Sequence, residues 1–237
     1  MFRLTIRFNG EILNNSLKIL ITARAGSKRI KNKNLVLFNG KPLILSTFVA
    51  AKESNLTDEI YISTDCPKIL ELAQQNKIFN IPRPRHLALD TTSSDAVIEH
   101  FINKVCAPKD TIILLQPTSP LRDHNDIRKA YSIFLESKDT VISVFRPIHH
   151  PLKSVILKDN KCSPWGKFLG NEREQDLPEI LSFNGAIYIF KVEEFMKRTT
   201  IPKVFTPYVM PYLRSIDINE ASDLKIAEFF SRYELQG

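Results

Sequence analysis

Between Arg24 and Lys33 stand Arg24, Lys28, Arg29, Lys31 and Lys33, in a segment that carries no acid. A loop of this composition can hold an anion in two ways at once. Arg24 and Lys28 supply charge, while backbone N–H groups around Gly26 and Ser27 supply a concave set of donors. Each charge-assisted hydrogen bond contributes about 1.5–3 kcal/mol, so several together suffice for a triphosphate. The competing reading is a solvated basic loop. The segment fits neither G-x-x-x-x-G-K-[ST] nor G-x-G-x-x-G, so its position in the fold has to decide. A second pair, Asp217 and Asn219, is spaced by two; if "RSIDI" is a strand over 214–218, both side chains leave one face. Asp217 as a mere cap or loop partner is the alternative. His149 and His150 are adjacent, yet no acid or cysteine nearby completes a ligand set, which favours packing over metal.

The elements that position these residues alternate. Apolar runs at 18–23, 59–64, 111–116, 140–145 and 184–190 read as strands, and helical spacing predicts helices between them. Pro42 suits a first helical turn, Ser93 or Ser94 can cap the helix that follows them, and Asn125 can cap the next. This order implies an α/β fold, a Rossmann-like mostly parallel sheet with helices on both faces, whose ligands sit at the carboxyl ends of the strands. Arg24, Asp65 and Gln116 fall at such ends. From 146 to 183 the alternation breaks, with a hairpin signal at Asp159-Asn160 and a polar stretch lacking a long helix. That stretch reads as an insertion with too little core of its own, ordered by a partner subunit. The alternating pattern then resumes and closes with a helix beginning near Glu220.

The 237 residues, 43% of them hydrophobic, are enough for one domain. No run approaches the ~18 apolar residues of a membrane span, and the opening residues are broken by Arg7, Asn9, Gly10 and Glu11 before a signal-peptide core could form. A cytoplasmic protein without a membrane partner is expected. Cys66, Cys106 and Cys162 are far apart and suggest packing, not a disulfide framework. The net charge of +7 suits nucleic acid, an anionic membrane or a phosphorylated small molecule.

"ARAGSKRIKNKNL", "NGKPLI", "YISTD", "RPRHLALDTTSS", "LLQPTSPLR", "HHPLK", "LPEILSFNGAIY" and "SIDINEASDL" follow one another in register from about residue 18 to 225. In that order they resemble the bacterial acylneuraminate cytidylyltransferases. The resemblance implies the nucleotide-diphospho-sugar transferase type of fold, a homodimer whose 146–183 insertion is the dimerisation arm, and transfer of CMP from CTP to a nonulosonic acid with Mg²⁺. N-acetylneuraminate and legionaminate are the expected acceptors. Residues 1–17 lie outside it as an extension of unknown role.

By the same resemblance, Arg24, Ser27, Lys28 and Lys33 occupy phosphate-loop positions and Asn34 stands near the nucleotide. Arg83, Thr92 and Ser94 fall in the segment that holds cytosine and ribose. Gln116, Asn184 and Tyr188 match acceptor-binding positions. Lys153 would reach the partner subunit's acceptor, and Arg173 stands one residue out of register with a sugar-binding arginine. Asp217 and Asn219 match a pair, usually two carboxylates, that holds Mg²⁺ against the phosphates. Arg24, Lys28, Lys33 and Asp217 are thus the expected catalytic groups, whereas Arg29 and Lys31 read as solvated and Asp65 as loop structure. A nucleic-acid-binding protein and a noncatalytic interaction protein on the same fold are the alternatives. Concentration of charge in one loop, without a recognised RNA or DNA module, argues against the first.

Overall fold

The computed structural model describes residues 7–8, 11–12, 16–27, 29–166, 173–198 and 200–233. Lys28, expected at the phosphates, lies outside them, as does most of the expected extension over 1–17. There, β1 (Arg7–Phe8) pairs antiparallel with β2 (Glu11–Ile12).

The first long strand is β3 (Leu17–Thr22), whose alternate residues face opposite layers. Leu17, Ile19 and Ile21 enter one core cluster, and Leu20 enters the other. A strand buried on both faces reads as a continuous apolar run, which explains "LKILIT". After the basic loop, β4 (Leu37–Phe38) and β5 (Lys41–Pro42) form a hairpin across Asn39 and Gly40, at φ 49° and 76°. Pro42, expected to open the next helix, instead pairs with Leu37 in this hairpin, and α1 (Ile44–Glu53) starts two residues later.

Then follow β6 (Ile60–Thr64), α2 (Pro67–Gln75), β7 (Phe79–Pro82), α3 (Ser94–Val105), β8 (Thr111–Leu115), α4 (His124–Ser137) and β9 (Val141–Phe145). The Ser93 hydroxyl caps α3 by accepting from the Ala96 N–H, as the sequence suggested. The cap of α4 is Asp123, not Asn125: Asp123 and Asp126 each accept from the other's backbone N–H, and a reciprocal pair satisfies more orphan donors than one amide. An arm follows, β10 (Val155–Lys158) antiparallel to β11 (Lys161–Pro164), turning through Asp159 and Asn160 at φ 49° and 58°. Both positive angles are those of the expected tight hairpin turn. The chain returns through β12 (Ser182–Lys191), α5 (Val192–Arg198), β13 (Thr206–Val209) and α6 (Ala221–Ser231).

The seven-stranded sheet has the order β13-β9-β12-β8-β3-β6-β7. It is parallel except at β12, which runs antiparallel to β8 and β9. The mostly parallel sheet expected from the alternation is therefore present. Reversal of β12 brings its first residues to the edge where β3, β6 and β8 end. One apolar cluster joins α1, α2 and α4 to the sheet, and the other joins α3 and α5 to its opposite face.

The strand expected over 214–218 does not form. Residues 212–215 make a 3-10 turn, gripped by Asp126, whose carboxylate accepts from Arg214 Nε and Nη2 at 3.0 Å each. Asp126 is fully buried and also accepts from the Tyr208 hydroxyl at 2.8 Å. The alternating isoleucines that suggested a strand pack instead under α6, where Ile216 and Ile218 join Phe38, Leu43, Leu121 and Ala227.

Candidate active site

At the carboxyl end of β3 the chain enters the basic loop, and this loop is held from three sides. The Asp65 carboxylate, following β6, accepts from the Ala25 N–H at 2.7 Å, which gives that residue the loop-building role expected of it. The Asn34 amide donates to the Arg24 carbonyl at 3.1 Å, so Asn34, nearly buried, fastens the far end of the loop to its start. Lys33 donates from Nζ to the Ile218 carbonyl at 2.8 Å, tying the loop to the segment of Asp217 and Asn219. That segment is anchored in turn, because the Ile218 N–H donates to the Thr118 carbonyl at 2.7 Å.

Two clefts open along this edge, with Arg24 in the wall of both. The first, of 190 Å³, is lined by Thr22, Arg83, Thr92, Ser93, Ser94 and Gln116 together with Leu87, Leu89, Val97 and Leu114. It offers hydroxyls and an amide over an apolar floor, the surroundings a nucleoside requires. Arg83 is buried and donates to the Ser63 carbonyl at 2.8 Å and hydroxyl at 3.2 Å. Burial lowers its guanidinium to about 10, against the pull of Asp65, so it stays charged at neutral pH. Thr92 donates to the His86 carbonyl at 3.1 Å and so shapes the loop that lines the cleft.

The second cleft, of 270 Å³, is lined by Arg24, Ser27, Arg29, Lys33, Asp90 and Asn219. Its cations suit phosphates. Arg29 is exposed, as expected, and also borders this wall. Asp90 was not singled out from the sequence; it pairs with Arg24, and its place in "LALDTTSS" was the only signal available. Burial, with Arg24 and Arg29 close by, holds the Lys33 ammonium below the ordinary lysine value, against the opposing pull of Asp217. The Tyr188 phenol is raised by burial and further by Asp217. Asp217 is thus near enough to act electrostatically on both Lys33, from the basic loop, and Tyr188, from β12.

Asp217 and Asn219 come together without a strand beneath them: Asn219 Nδ2 donates to Asp217 Oδ2 at 2.6 Å. The amide carbonyl of Asn219 is not used in that bond. Asp223 accepts from the Asn219 and Glu220 N–H groups at 2.8 Å, the first-turn role its place on α6 predicts. Among the described residues no group of three or more His, Cys, Asp or Glu could hold a metal. One carboxylate beside one amide carbonyl is nevertheless a fitting donor set for Mg²⁺, which keeps several waters and uses substrate phosphates as ligands.

The remaining expected residues divide. Gln116 lines the first cleft, and its side chain rests against Gly185, where a Cβ would stand 3.1 Å from Gln116 Oε1. Gly185 has φ 71°, within a register shift of β12 between Phe183 and Tyr188, so both conformation and space call for glycine. Asn184 lies beneath this surface, 3% exposed. Its Oδ1 accepts from the Ser143 hydroxyl at 2.6 Å, and its Nδ2 donates to Ser215 Oγ at 3.0 Å and contacts Met210 Sδ at 3.2 Å. The side chain is spent on building the bulge. Lys153 and Arg173 sit on the arm, both exposed, with Arg173 donating to Asp176 at 2.8 and 3.2 Å. His150 Nε2 lies 2.9 Å from the Pro178 carbonyl, a packing role.

The sequence matches the cytidylyltransferase family over residues 18–225. The chain belongs to that family. Among curated relatives of this cytidylyltransferase, the CMP-N,N'-diacetyllegionaminic acid synthase of Legionella pneumophila is 34% identical over 226 residues, covering 88% of this chain and 93% of that protein. The N-acylneuraminate cytidylyltransferase of Escherichia coli O18:K1:H7 is 29% identical over 216 residues, covering 88% of this chain and 50% of that longer protein. In structure, the chain is similar to a CMP:2-keto-3-deoxy-manno-octonic acid synthetase solved with CTP. The TM-score is 0.69 at 16% identity, covering 93% of this chain and 100% of the other. That likeness shows the fold, a nucleotidyltransferase sheet of the Rossmann-like type. The chain is accordingly an enzyme of the nucleotidyltransferase class.

Proposed function

We propose that this cytidylyltransferase joins the CMP moiety of CTP to the anomeric hydroxyl of a nonulosonic acid, legionaminate or N-acetylneuraminate, and releases pyrophosphate. The observation that carries the reading is the shared wall: Arg24 borders a hydroxyl-lined cleft of nucleoside character and a cationic cleft of phosphate character. A nucleotide laid across it has its base and ribose near Arg83, Thr92 and Ser94. Its phosphates lie among Arg24, Ser27, Arg29 and Lys33; Lys28 is assigned to them by resemblance alone. Gln116, in the nucleoside cleft, and Tyr188, within electrostatic reach of Asp217, then flank the acceptor.

The protein's task in such a reaction is positioning and charge neutralisation while pyrophosphate leaves. Lys33, fixed by the Ile218 carbonyl, and Arg24 meet charge that grows on the departing group. Asp217 and Asn219 would hold Mg²⁺, which when bound neutralises phosphate charge. In this proposal the Asp217 carboxylate also orients the attacking hydroxyl and takes its proton.

The 146–183 arm belongs, in this proposal, to a homodimer within a single nucleotidyltransferase domain. Val155, Ile156, Leu157 and Trp165 are 59%, 43%, 69% and 66% exposed, more apolar area than a solvated hairpin needs. Lys153 would then serve the partner's site, with Arg173 near the acceptor. The proposal places the enzyme in the cytoplasm with no nucleic-acid or membrane partner; no helix among the described residues is long and apolar enough to cross a membrane. The test is pyrophosphate release with CTP and a panel of nonulosonic acids. Turnover with at least one acid of the legionaminate or neuraminate series supports the reading, and turnover with none of them removes it.

A further inference from the structure

Arg122, the last residue of "QPTSPLR", is 1% exposed and is among the largest fully buried side chains of the described residues. Its guanidinium is met by neutral oxygens from three elements. Nη1 donates to the Ala186 carbonyl at 3.3 Å and, at 3.5 Å, to the Gln116 carbonyl, while Nη2 donates to the Thr47 hydroxyl at 3.0 Å. Nε has no hydrogen-bond partner among the described residues. Burial lowers the group to about 10, partly offset by Asp126 and Asp123, so the charge persists at neutral pH. A buried cation with an orphaned donor is an expensive way to fill space, and an apolar side chain would do that at lower cost.

The location gives the reason. Leu115 pairs with Ile187 in the last regular register between β8 and β12. One residue beyond it lie the Gln116 and Ala186 carbonyls, the first of which also accepts from the Ser119 N–H at 3.4 Å. Buried carbonyls need donors, and a guanidinium carries enough on one rigid plane to bridge both. The Gln116 amide rests against Gly185, where a Cβ would stand 3.1 Å from Oε1. The distance between the two strand ends therefore sets where the Gln116 amide points.

We propose that Arg122 is a positioning residue for the acceptor: by tying the Gln116 and Ala186 carbonyls to each other and to α1, it fixes the Gln116 amide for recognition of the nonulosonic acid. The inference rests on the proposed reaction and on Gln116 as an acceptor contact. Arg122 touches neither substrate. Its effect falls mainly on the acid, because the basic loop and Arg83 are held by Asp65, Asn34 and Ser63 instead.

The test is steady-state kinetics of Arg122→Lys, Gln116→Ala and the double variant, each substrate varied in turn. Lysine keeps the charge but loses the fork that bridges two carbonyls. Arg122→Lys is expected to raise KM for the acid about tenfold and to leave KM for CTP within about twofold. In the Gln116→Ala background the same change should add less than about twofold, since both act through one amide. Thr47→Val, which removes one anchor and keeps the volume, should shift the acid KM in the same direction and serves if Arg122→Lys does not fold. Full additivity of the two changes, equal rises in both KM values, or a Gln116→Ala enzyme with unchanged acid KM overturns the proposal. A wild-type enzyme that makes no CMP-sugar overturns the reaction itself, a result recognisably different from lost coupling in an active enzyme.

Discussion

Removing the Lys33 ammonium is the sharpest perturbation of the phosphate side of the site. Lys33 borders the cationic cleft and is aimed by a 2.8 Å bond to the Ile218 carbonyl, so its charge is positioned before substrate arrives. If Lys33 makes one charge-assisted bond to a phosphate oxygen, Lys33→Met forfeits about 1.5–3 kcal/mol, or about 10- to 160-fold in kcat/KM for CTP. The pH dependence supplies a second reading. Burial holds the ammonium below the ordinary lysine value, so it loses its proton earlier than a solvated lysine as pH rises. Since kcat/KM reports the free enzyme, its alkaline limb should fall early in the wild type and move upward in Lys33→Arg, which stays charged. The sign for stability is opposite to that for activity. A lysine whose folded value is lowered costs stability while protonated and ceases to as pH rises through that value, so Lys33→Met should not lower Tm by more than a few degrees. Pyrophosphate release from CTP, followed across pH, measures the kinetic effects, and thermal unfolding measures the Tm. A Lys33→Met enzyme within about twofold of wild-type kcat/KM refutes the reasoning, as does an unmoved alkaline limb in Lys33→Arg.

Asp217→Asn should nearly abolish turnover at every Mg²⁺ concentration, whereas Asn219→Asp should lower the Mg²⁺ needed for half-maximal rate. Asn219→Asp also sets two carboxylates where a 2.6 Å amide bond now stands, so its Tm should drop in EDTA and recover with Mg²⁺ more than the wild type's does. Asp126→Ala removes the carboxylate that grips Arg214 and breaks the reciprocal pair with the Asp123 cap of α4, and urea unfolding should show a loss of about 3–5 kcal/mol. Mixed Lys153→Ala and Lys28→Ala chains should regain activity that neither homodimer has, and no recovery in proven heterodimers would sink the shared site.

The central sheet was legible because β3, β6 and β8 are short apolar runs buried on both faces, a pattern that survives without context. Its two edge strands were not. Pro82 in β7 and Pro207 in β13 read against strand, and only at an edge, where one side of the ladder is unused, is proline tolerated. The stretch 214–218 shows the converse error. Its alternation was real, but Asp126, nearly ninety positions away in sequence (|i−j| = 88), turns Arg214 into an anchor, and the isoleucines face α6. At the site, Arg24, Ser27, Lys33, Arg83, Thr92, Ser94 and Gln116 were indicated by motif and lie in the two clefts. Asp90 and Arg122 stand inside quoted motifs but were not singled out, because their roles depend on partners brought close only by folding. Asn184 was legible as a motif residue but not as a buried one, since nothing local distinguishes an amide facing a ligand from an amide holding a bulge.

The measurement that bears most directly on the whole account is phosphorus NMR of the purified enzyme with CTP, Mg²⁺ and legionaminate or N-acetylneuraminate. The account predicts one new phosphodiester resonance of a CMP-acid conjugate and an equal amount of pyrophosphate, each requiring both substrates. CTP left intact with either acid, or pyrophosphate formed without an acceptor, would contradict it.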